Sequence, residues 1–142
     1  MSDKVSDQEA LIYVMVMISA VDRRMTDKEM ARIGAITRTL PAFDDFDEDQ
    51  LVPISRDCAA LLDRDDGLAT ALDLIAWSLP QSLYETAYAL GVDIAATELA
   101  LTPEEARLLQ LLRRKFGLDR LVTVAIERGA RARHARAVRH DA

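Results

Sequence analysis

Four acidic side chains fall at matched positions in the two halves of this 142-residue chain, Asp22 and Glu29 in the first, Glu98 and Glu105 in the second. Hard divalent cations such as Ca²⁺, Mg²⁺ or Mn²⁺ take several oxygen ligands, and two related carboxylate pairs could supply four. Asp93 joins the set because it interrupts the apolar run Ala87 to Ala96. A carboxylate buried there must find an Arg, a helix N-terminus or a metal. The same residues have a second reading. Glu29 and Glu105 each stand three positions after a threonine, Thr26 and Thr102. That is the spacing of a capping box, in which hydroxyl and carboxylate satisfy free backbone N–H groups at a helix start. Asp22 and Glu98 then face solvent or those helix starts, and Asp93 pairs with a protein donor.

Other chemistries find less support. Asp45-Phe46-Asp47-Glu48-Asp49 has the density of a calcium loop, but Gln50 stands at the sixth position, where Gly is needed, and Arg56 at the twelfth, where Glu is needed. The single cysteine, Cys58, shares an apolar face with Ile54, Leu61 and Leu62, and is read as a buried structural thiol. His134 and His140 lie far from it in the chain, so no nucleophile–base pair is apparent. Five scattered glycines build no phosphate loop. Paired carboxylates acting as acid and base are the one catalytic arrangement still open. The reading is a non-enzymatic domain. Met15, Met17, Met25 and Met30 read as core filling rather than as soft-metal ligands, and Trp77 and Tyr84 as packing anchors beside the Leu79-Pro80 corner.

These residues need a scaffold, and composition limits which. Aromatics make up 5% of the chain, with Gly and Pro scarce, which disfavours a turn-rich β sandwich. Half the residues are hydrophobic and 30% are charged, the balance of one globular domain over residues 1–142. The acidic opening stretch is unlike a signal peptide, and the apolar run Ala10 to Val21 falls short of the ~20 residues that span a bilayer. A cytoplasmic protein without a membrane span is expected. Net charge is −12 over residues 1–112 and +6 over residues 113–142. The acidic body is not expected to bind DNA, since phosphate binding needs a positive surface. The basic tail, about residues 129–142, reads either as a solvated helix end or as a surface for an acidic partner.

Helix signals run from end to end, and the spacing predicts seven. Ser6 and Glu9 open the first, running to about Asp22; Thr26 opens the second, and Pro41 ends it. A third carries Leu51, Ile54 and Cys58, with Pro53 in its first turn. A fourth covers Leu68 to Leu79, and a fifth runs from Pro80 to about Leu99. Thr102-Pro103-Glu104-Glu105 opens a sixth that ends at Gly117. Asp119 caps a seventh reaching about Val138, with Leu121, Val124 and Ala125 on its apolar face. The fold class is all-α, a bundle containing two pseudo-symmetric helical hairpins.

Self-similarity underlies that symmetry. With Thr26 placed on Thr102, Ile18 meets Ile94, Ala20 meets Ala96, Asp22 meets Glu98, Ile33 meets Leu109 and Ile36 meets Leu112. Each half has an apolar helix, an acidic corner and a capped amphipathic helix. The pattern resembles the tellurite-resistance TerB-like family of small all-helical bacterial domains. Ala20-Val21-Asp22, Thr26 and Glu29 carry the family's corner once, and Ala96-Thr97-Glu98, Thr102 and Glu105 carry it again. Asp66-Gly67-Leu68 and the stretch Leu79 to Leu90 look like its middle, and the likeness covers about residues 8–135. Two departures stand at the corners, where Arg23 and Leu99 replace the usual Gly and Glu98 replaces Asp.

The resemblance implies a domain linked with tellurite and other chemical stress, holding a divalent cation at Asp22, Glu29, Glu98 and Glu105 with Asp93 in support. The alternative is a metal-independent protein-interaction module, similar to the TerB-like region found beside co-chaperone J-domains.

Overall fold

Seven α-helices and three 3-10 turns, with no strand, make up the described part of the computed structural model, which covers residues 4–21, 25–96 and 101–138. The helices are α1 (Asp7–Ala20), α2 (Asp27–Thr39), α3 (Leu51–Leu62), α4 (Gly67–Ser78), α5 (Tyr84–Ala95), α6 (Pro103–Phe116) and α7 (Arg120–Arg133). No helix among the described residues is long and apolar enough to cross a membrane.

Local chemistry starts and stops most of them. Ser6 accepts from the Glu9 N–H at 3.1 Å to open α1. Complete capping boxes open α2 at Thr26 and α6 at Thr102, and Pro103 takes the first position of α6. Pro41 follows α2 and leads a 3-10 turn, and Pro53 lies in the first turn of α3, where its missing N–H costs nothing. Gly117 closes α6 at φ 62°, ψ 36°, a left-handed conformation that a Cβ would strain.

α1 is the central element. Every residue from Ala10 to Ser19 is buried, because α3, α4 and α5 all pack around it. A helix apolar all round has no solvent face to offer and must lie inside. It packs tightly on α5 at Gly91, where a Cβ would come within 3.3 Å of Val14 and 3.5 Å of Ile18. The two apolar helices of the internal repeat thus pack on each other, and each leads through a corner into a boxed helix, α2 or α6. Ile33 and Leu109, matched by the repeat, are both buried.

Five expectations about the elements need correction. α5 starts at Tyr84 rather than Pro80, because a 3-10 turn over Gln81–Leu83 precedes it, and it ends at Ala95 rather than near Leu99. α7 ends at Arg133 rather than near Val138: the His134 N–H bonds the Ala130 carbonyl, and the Arg133 and His134 side chains both turn onto Asp93 of α5. Leu121, Val124 and Ala125 do not form its buried face, the first two being 79% and 49% exposed and Ala125 exposed as well; Thr123 and Ala130 are buried instead. α7 packs on α5, and small side chains let the two backbones approach. Asp119 occupies the N-cap of α7 without a side-chain bond. Trp77 is 57% exposed, with the Lys4 ammonium 4.3 Å from its ring centre, whereas Tyr84 is the anchor expected, its ring stacked on Phe116 and its hydroxyl donating to the Ala76 carbonyl.

Candidate functional site

At each corner of the repeat the glutamate is drawn to its own helix start. The Thr26 N–H donates to Glu29 Oε1 at 2.9 Å, and the Glu29 N–H donates to Thr26 Oγ1 at 3.2 Å. The second corner repeats this at 3.0 and 3.1 Å with Thr102 and Glu105. Glu105 is 97% buried, being 3% exposed, while Glu29 is half-buried. Both carboxylates therefore face the positive end of a helix dipole, which attracts anions and opposes a cation. Asp22 and Glu98 lie outside the described residues. Among the described residues no group of three or more His, Cys, Asp or Glu is placed to hold a metal ion.

Asp93 is not in the core. It lies on the flank of α5 that faces α7, its side chain 26% exposed, with Arg133 Nη2 at 2.6 Å and His134 Nε2 at 3.5 Å from Oδ1. Its neighbours Val92 and Ile94 are the buried residues of that turn. Of the five carboxylates singled out from sequence, two serve in caps and one in an ion pair; the structure does not bring these three together.

Nor do the buried polar groups make a reacting pair. Cys58 is fully buried, its Sγ 3.8 Å from the Tyr13 carbonyl oxygen, and burial pushes its thiol up to about 12. A thiol held protonated is a poor nucleophile. Burial raises Tyr13 to about 12 as well. Tyr88 is also driven upward, first by burial and then by its hydroxyl's bond to the Glu127 carboxylate, with Arg113 near enough to oppose the shift.

A groove of about 780 Å³ runs between α6 and α7 over a floor made by α5. α6 and α7 meet at the Gly117 corner, and each packs on α5 but scarcely on the other, so the two arms are splayed. Val92 and Ala95 line the floor, Leu101, Ala106 and Leu109 the α6 side. Arg107 and Arg113 stand along one wall, Arg131 and His134 along the other. Glu127, the sole carboxylate among the described residues of the lining, accepts the Tyr88 hydroxyl. The arrangement can take an apolar surface that carries negative charge. Sequence reasoning missed it, although Pro103, Ala106, Arg107, Gln110 and Arg113 recur at the spacing of one helix face, and Arg113 and the α7 residues belong to the stretch where the charge turns positive.

Compared with protein-family models, with curated proteins and with solved structures, the chain finds no match.

A second hollow of about 980 Å³ lies between α1, α2 and α3, with Met17, Met25, Met30, Val52 and Leu68 in its lining. Met15 and Met17 are core residues, as expected, whereas Met25 and Met30 are partly buried at this hollow. Among the described residues its charges are Asp27 and Asp63 against Arg56, with no strong preference of sign.

Proposed function

We propose that this chain is a non-enzymatic, TerB-like interaction module that works without a bound metal and engages its partner through the groove between α6 and α7. The observation that carries this reading is the coincidence of an apolar floor with cationic walls on a molecule whose net charge is −6. Grooves of roughly 300–1,000 Å³ with a mostly apolar lining and a few placed polar groups are the usual form of binding sites. Membership of the TerB-like group is supported by the two acidic corners and their capping boxes. A part in tellurite or other chemical stress rests on that resemblance alone.

A divalent cation at Asp22, Glu29, Glu98 and Glu105 is the reading less favoured. Oε1 of both glutamates is turned onto a helix N-terminus, and Asp93 is neutralised by Arg133. For Ca²⁺, Mg²⁺ or Mn²⁺ to bind there, carboxylates would have to turn away from bonds they already make.

The test is amide NMR of EDTA-stripped protein titrated with anilinonaphthalene sulfonate, an apolar anion. Saturable shifts at Val92, Ala95, Ala106 and Arg131, abolished by Ala106→Glu, are expected. Shifts centred on the Met25 and Met30 hollow, or no saturable shifts, would overturn the proposal.

A further inference from the structure

The occupant of the groove can be narrowed by the distribution of its charge. This step rests on the groove being the working surface. The cations are not gathered at one end, as the head-group site for a single carboxylate or phosphate would require. Arg107 and Arg113 are six residues apart on α6, about 9 Å along the helix axis at 1.5 Å per residue, and Arg131 opposes them from α7. A linear partner with several anions along its length engages the whole of this spread, where a one-headed amphiphile engages only part of it.

Two other occupants fit poorly. The chain's own C-terminal residues carry Arg136 and Arg139 against Asp141, so they would add net positive charge to a positive site. Single-stranded nucleic acid needs exposed aromatic faces on which bases stack. The aromatic residue of the lining, Tyr88, is 1% exposed, with its hydroxyl committed to Glu127. An amphipathic helix satisfies both halves of the site, laying apolar residues spaced i, i+3, i+4 and i+7 on the α5 floor and holding acidic side chains toward both walls.

We infer that the groove between α6 and α7 receives an acidic amphipathic helix of a partner protein, with Val92, Ala95 and Leu109 taking its apolar face and Arg107, Arg113 and Arg131 its carboxylates.

Three labelled peptides of about 18 residues, long enough to form helix, test this by fluorescence anisotropy with the full chain. One has a Leu face and a Glu face, the second replaces every Glu with Lys, and the third keeps Glu but replaces Leu with Ser. The first should bind at least about tenfold more tightly than either control, and should weaken as NaCl is raised. An Arg107→Glu, Arg131→Glu variant should reverse the order and prefer the Lys peptide. Both substitutions are at exposed positions, and circular dichroism checks that the fold is kept. Equal or tighter binding of the Lys or the Ser peptide would overturn the acidic-helix assignment while leaving the groove as a binding surface. If no peptide binds, yet the anilinonaphthalene sulfonate shifts map to the groove, the assignment alone falls. If those shifts are missing too, both fall.

Discussion

Ser19 has a buried hydroxyl with no hydrogen-bond partner among the described residues, in a helix turn whose neighbours are apolar. Desolvating such a group without return is unfavourable, so Ser19→Ala should raise unfolding stability by about 1 kcal/mol, read from the urea midpoint at unchanged slope. Cys58 sets the alkaline limit. Its thiol is held near 12 in the fold against an ordinary value of 9.0. Below pH 9 both states keep the proton and the shift contributes in full. Between about pH 9 and 12 the unfolded thiol ionises while the folded one does not, so stability should fall by about 1.4 kcal/mol per pH unit for this group. Cys58→Ala should flatten that fall, leaving the part due to Tyr13; an unchanged alkaline slope would contradict the account. At this scale the sequence was partly legible. Cys58 on an apolar helix face could be read as buried, because periodicity reports burial. Asp93 could not be placed, because the helix that covers that flank of α5 is forty residues further on and supplies Arg133.

Helix starts were the most legible elements, since a cap is written in four consecutive residues. Thr102→Ala should cost about 1 kcal/mol, and more than Thr26→Ala, because Glu105 is buried and its backbone N–H has less water to turn to than that of Glu29. Equal losses in urea titrations of the two variants would count against that ranking. The end of α7 was not legible. Hydrophobicity alone favoured Leu121 and Val124, but the face that packs is chosen by the surface of α5, which admits Thr123 and Ala130. Its last turn depends on Asp93 receiving Arg133 and His134. Asp93→Asn should speed amide hydrogen exchange at residues 130–134 while shifting global stability by about 1 kcal/mol or less, as for an ion pair whose Arg133 head is solvent-exposed.

For the whole molecule, the internal repeat explains the centre of the fold better than the function. Two apolar helices, α1 and α5, pack on each other at Gly91, and each is followed by a boxed helix. The repeat then breaks. α7 adds itself to α5 on the second half and makes the groove with α6, so the surface with the clearest binding chemistry lies where the two halves differ. Charge foreshadowed this in outline, because the positive stretch of the sequence contributes Arg113 and the whole α7 wall. What sequence could not supply was the splay between α6 and α7, which follows from both packing on α5 rather than on each other.

The central claim is a metal-independent groove, and calorimetry of EDTA-stripped protein with the acidic amphipathic peptide tests it most directly, run in EDTA and again with Ca²⁺, Mg²⁺ or Mn²⁺ in place of EDTA. One peptide bound per chain with the same affinity in every buffer, and loss of that binding in the Arg107→Glu, Arg131→Glu variant, is the predicted result. Binding that appears only with a divalent cation, or that survives the charge reversal unchanged, would contradict it.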